Sequence, residues 1–154
     1  MRTGIVLLGL LCAAVAVAGE QPIAVADPAA KRIDLDSIAA LVVSVTTCAA
    51  LHAAAADVLD REHLPQHAET ARRRAQVDQV AAMYLLAQDH AVKGGPAREL
   101  DSYTSYVEQL TAAAHERMVG IVTKEDAAPF KREEAICTEL IPLEDEILTK
   151  ISAD

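Results

Sequence analysis

Residues 37–56, SIAALVVSVTTCAALHAAAA, run for 20 positions without an Asp, Glu, Lys or Arg. Ile38, Leu41, Val42, Val45, Cys48, Ala49, His52, Ala55, Ala56 and Leu59 recur at spacings of three and four, the period of one helical face. The opposite side is uncharged as well. A helix that is apolar all round must be covered on several sides, so this segment is either the central helix of a helical domain or a membrane span. Composition separates the two. Residues 38–56 hold six large aliphatic side chains, against eight in the shorter stretch 5–17. A span would also carry Ser44, Thr46, Thr47 and His52 at mid-depth, where polar groups are costly. The expectation is a buried central helix.

The rest of the chain reads as helix to match. Asp34 or Asp36 can cap the first helix, and Pro65 in HLPQH ends it by disfavouring helical geometry at Leu64. A second helix is predicted over 66–92, with Val77, Val80, Ala81, Tyr84, Gln88 and Ala91 inward, stopped by Gly94-Gly95-Pro96. A third is predicted over 97–123, with Leu100, Tyr103, Val107, Leu110, Ala114, Met118 and Ile121 inward. The fourth begins near Pro129 and carries Phe130, Cys137, Ile141 and Leu148; Pro142 is expected to kink or divide it. There is no strand alternation, no repeat, and no low-complexity tract beyond the alanines. The expected fold is all-α, an up-down antiparallel helical bundle of about four helices in a domain over 34–154.

Ahead of it lies a signal-peptide pattern. Arg2 gives a positive start, residues 5–17 are apolar, and Ala16-Val17-Ala18 matches the small-x-small motif of a cleavage site. The apolar run is short for about 30 Å of hydrocarbon, and Leu11 before Cys12 does not suit a lipidation motif. The expectation is cleavage of 1–18, an extended segment over 19–33, a periplasmic or secreted location, and no membrane span after signal removal.

Charge excludes one class of partner. Arg2 leaves with the signal, so the mature chain has 13 Lys plus Arg against 23 Asp plus Glu, a formal charge of −10. Such a surface repels nucleic acid, and four aromatics (Tyr84, Tyr103, Tyr106, Phe130) give little to stack on bases. Arg72-Arg73-Arg74 is the one concentrated basic spot. It reads as a solvated helix face, as do Glu133-Glu134 and Glu144-Asp145-Glu146.

Two cysteines, Cys48 and Cys137, outlast the signal, each on the inward stripe of its helix. In an oxidising compartment they are expected to pair. A metal site is the rival, because Cys48 and His52 at i, i+4 share a face. No second ligand pair is placed as cleanly: His63 and His67 straddle Pro65 in a turn. A disulfide sulfur cannot ligate as thiolate, so the two readings exclude each other. No metal and no other cofactor is expected, and His52 should be a core or boundary imidazole bonded to a Thr, a Glu or a backbone carbonyl. No catalytic constellation is visible either. Ser102, Tyr103, Ser105 and Tyr106 in DSYTSY suit a helix start, and KGGP is a helix stop rather than a phosphate loop.

The functional expectation is a small exported, disulfide-linked helical protein that acts by binding, with a protein partner or a second copy of itself. Two alternatives stand beside it. One is a carrier of a small apolar ligand or metal, with a pocket between helices near His52 and Tyr84. The other is an acid-responsive periplasmic chaperone. With every carboxylate protonated, 13 Lys plus Arg and five His make +18, enough to loosen a compact state by self-repulsion.

Overall fold

The structure, a computed structural model, describes residues 38–124 and 127–153. The described residues form α1 (Ile38–Arg61), α2 (Pro65–Val92), a single 3-10 turn (Leu100–Tyr103), α3 (Thr104–Val122) and α4 (Ala128–Ala153), with no strand among them. The signal peptide, the segment 19–33 and the capping by Asp34 or Asp36 fall outside the described residues.

Helix α1 is central, as its composition requires: it touches α2, α3 and α4. Besides the expected stripe it buries Thr46, Ala50, Leu51 and Ala54 on its other side. By length and composition it is apolar enough to cross a membrane, but 56% of that window is buried inside the bundle. The contacts fix the directions. Arg117 near the end of α3 pairs with Glu133 near the start of α4, so α3 and α4 are antiparallel, and Cys48 joins Cys137 to fasten α4 to α1. Asp57 pairs with His115 while Val45 clusters with Val107, so α1 and α3 run the same way. The result is the expected up-down bundle.

The α1–α2 hairpin packs along a seam of small residues. Ala49, His52, Ala56 and Leu59 on α1 and Ala68, Ala71, Ala75, Asp78, Ala82 and Leu85 on α2 recur at alternating three and four residues, the spacing of antiparallel helices packed side by side. Alanine lets two backbones come close, at the cost of little apolar area per residue. The expected face of α2 is therefore displaced. Ala81 is buried, Val77, Val80 and Tyr84 are half-buried, and Gln88 and Ala91 are exposed. Small residues take the tight seam and the bulkier ones flank it.

Both hairpin ends are closed in the same way. After α1, the Leu64 N–H donates to the Leu59 carbonyl and the His63 N–H to that of Asp60, with His63 in the left-handed region at φ 60. Leu64 then packs on Leu59. This is a Schellman motif with histidine where glycine is usual. After α2, Gly95 N–H donates to His90 and Gly94 N–H to Ala91, with Gly94 at φ 78. A Cβ at Gly95 would run into the His90 ring.

Two expectations for the later helices need correction. The third helix starts at Thr104, not 97, because the chain first makes the 3-10 turn; Val107 and Met118 are buried as expected, joined by Thr111 and Val122. Pro142 does not divide α4, which runs unbroken from Ala128 to Ala153. Pro142 is exposed, and on that side the carbonyl it leaves without a donor can turn to water. Ile141 is exposed and Leu148 half-buried, whereas Phe130, Cys137, Glu144 and Ile147 form the inner stripe.

Candidate functional site

Cys48 and Cys137 are joined by a disulfide, with Cα atoms 5.5 Å apart and both residues buried. One helical turn beyond Cys48 on α1 stands His52, and two turns beyond Cys137 on α4 stands Glu144. Between them α2 presents Arg74 and Asp78. These four side chains form a continuous polar chain through the bundle. His52 Nδ1 lies 2.7 Å from Asp78 Oδ2, Arg74 Nε lies 3.5 Å from Asp78 Oδ1, and Arg74 Nη2 is hydrogen-bonded to Glu144 Oε2. The 3.5 Å approach is a charge contact rather than a hydrogen bond.

Burial gives the cluster its weight. Asp78 and Glu144 are 0% exposed, while Arg74 and His52 keep about a quarter of their side-chain surface (26% and 23%). Fully buried carboxylates survive where cations face them, and removing one partner of such a group costs about 3–5 kcal/mol. Two acceptors are left over: Asp78 Oδ1 and Glu144 Oε1 have no hydrogen-bond partner. The ion pairs of Arg72 with Asp60 and Arg73 with Glu69 are solvated and individually weak, and that of Arg117 with Glu133 joins an exposed guanidinium to a half-buried carboxylate.

His52 thus finds the carboxylate of Asp78 rather than the Thr, Glu or backbone carbonyl expected for it. Arg72 and Arg73 are exposed as anticipated, but Arg74 is turned inward. Glu144 is the larger surprise, since its neighbours Asp145 and Glu146 are exposed as the acidic run suggested. Tyr84, the other residue proposed to line a pocket, is half-buried against the apolar cluster of Ile38, Val42, Val45, Leu85 and Ile147. It also lies near Lys150, whose ammonium is raised above its usual range first by the hydrogen bond from its own Nζ to Glu146 and only slightly by Tyr84.

Signals for the missed residues exist in the sequence. Asp78 sits in register within the series Ala71, Ala75, Ala82, Leu85, and Glu144 lies seven residues after Cys137, a spacing that returns to nearly the same helical face. A charge in a core register is the readable sign.

The disulfide removes Cys48 from thiolate chemistry. Among the described residues, no three His, Cys, Asp or Glu are grouped so as to hold a metal ion. His52 and Asp78 form an oriented imidazole–carboxylate pair, with Arg74 rather than a hydroxyl or thiol as the next group along the chain. The arrangement suits holding helices in register more directly than turning over a substrate. No protein-family model, curated protein or solved structure matches the chain.

Proposed function

We propose that this is an exported binding protein, a bundle clamped by one disulfide whose partner is another protein or a second copy of itself. The observation that carries the reading is the uneven covering of α1. From Ser44 to Ala56 no residue of the helix is exposed, but in its first turns Ala39, Ala40 and Val43 are exposed, Val43 at 58%. An apolar side left open on the most apolar of the described helices suits contact with a protein surface. The buried disulfide supports the export half of the reading, since such bonds persist where thiols are not kept reduced.

Capture from an envelope extract tests this directly. The wild-type protein should retain a partner, or itself, that Val43→Asp loses while its helical signal and melting temperature stay unchanged. Equal capture by both proteins would move the contact elsewhere. Capture by neither would remove the reading. Native mass spectrometry of protein purified from its own host addresses the carrier alternative: a retained small molecule or metal supports a carrier, and a clean apo mass supports protein binding.

A further inference from the structure

Helix α4 is fixed to the rest of the bundle in four ways: by the disulfide to α1, by the apolar contacts around Phe130 and Ile147, by the ion pair from Glu144 to Arg74 on α2, and by the ion pair from Glu133 to Arg117 on α3. The third differs in kind. It is part of a buried set of charges in which His52 comes from α1, Arg74 and Asp78 from α2, and Glu144 from α4. Helix α3 adds none, because its buried residues are Val107, Thr111, Met118 and Val122. Its His115 instead faces Asp57, itself 57% exposed. Cys48 and Cys137 are bonded to each other and do not titrate.

With both carboxylates ionised and His52 protonated, the four groups sum to zero. Acid that neutralises Asp78 and Glu144 leaves two partly buried cations, Arg74 and His52, with no counter-charge. Uncompensated charge inside a protein is among the costliest arrangements a fold can carry. The geometry leaves the proton a place to add: Asp78 Oδ1 and Glu144 Oε1 are both buried with an unused lone pair. A proton on Glu144 Oε1 leaves the Arg74 contact at Oε2 in place, whereas one on Asp78 Oδ1 faces Arg74 Nε 3.5 Å away.

We propose that the His52–Asp78–Arg74–Glu144 cluster is an acid-released latch: protonating its two carboxylates frees α4 from α2, while the Cys48–Cys137 bond keeps α4 tethered to α1. Release uncovers the apolar side of the hairpin where Val42, Val45, Ala82 and Leu85 cluster with Ile147. The opening is a property of the fold and does not depend on the identity of any partner.

The test is an acid titration from about pH 7 to about pH 2, followed by binding of the apolar dye ANS and by far-UV circular dichroism. The wild type should gain dye fluorescence several-fold while keeping most of its helical signal. A variant with the cluster made apolar, His52→Leu, Arg74→Met, Asp78→Leu and Glu144→Met together, should stay closed to a pH lower by about one unit or more. The same transition midpoint in both proteins would overturn the latch. Should the fourfold variant fail to fold, Asp78→Asn with Glu144→Gln decides the matter. It reproduces the neutral carboxyls at pH 7 and should bind the dye there as the wild type does in acid; a closed, dye-free double variant would overturn the proposal.

Discussion

His63 holds a left-handed backbone at φ 60 with an exposed side chain, so its imidazole contributes little to offset the strain of that conformation. A β-carbon there costs about 1 kcal/mol, partly returned by the lower chain entropy of a non-glycine residue. His63→Gly should therefore stabilise the protein by about 0.5 kcal/mol, read as a small rise in melting temperature. Gly94→Ala, the mirror experiment at φ 78, should destabilise it by about 1 kcal/mol. Asp78 is the opposite kind of residue, with no exposure and with the His52 imidazole and the Arg74 guanidinium as partners. Asp78→Asn keeps the shape and removes the charge, which should cost about 3–5 kcal/mol in urea unfolding. An unchanged midpoint would mean that the carboxylate carries no structural charge. Arg74 and Glu144 should show energetic coupling in a double-mutant cycle, whereas Arg73 and Glu69, exposed and one turn apart, should show almost none.

Among the elements, α1 and α4 are held by a bond that closes a loop of 89 residues. By the chain-entropy argument such a closure stabilises by up to about 4–5 kcal/mol, and measured gains are often smaller. Cys48→Ser and Cys137→Ser should destabilise by similar amounts, and reduction should add about 2 Da to the intact mass. Free labelling of both thiols in the native exported protein would contradict the bond. The helices and this pairing were legible in advance because periodicity, Pro65, Gly94 and the cysteine count each speak through local chemistry. The faces of α2 and the cluster were not. Ala68, Ala71 and Ala75 are weakly apolar, so Val77, Val80 and Tyr84 outweighed them in the pattern, although tight backbone approach favours the smaller residues. Arg74 and Glu144 sit inside runs of like charge, RRR and EDE, where a sequence offers no way to tell the inward member from its solvated neighbours except by its register with Ala75 or Cys137. The division allowed for at Pro142 does not occur, because Pro142 lies on the exposed side of α4, where the carbonyl it leaves without a donor can turn to water.

The whole molecule is expected to begin at Gly19 in its exported form, which N-terminal sequencing of protein from the envelope or medium checks directly. A product that keeps Met1 in the membrane fraction would overturn the compartment. The Cys48–Cys137 bond also determines how the folded protein bears load. Tension applied at the two ends enters α1, crosses the sulfur bridge and leaves through α4, bypassing the covalent path through α2 and α3. A pulling machine, whether an optical trap or a translocating protease, would meet a closed ring that it cannot draw out as a single strand. In single-molecule extension the oxidised protein should hide the contour of 89 residues, about 300 Å of extended chain, and a reductant should release that length in full.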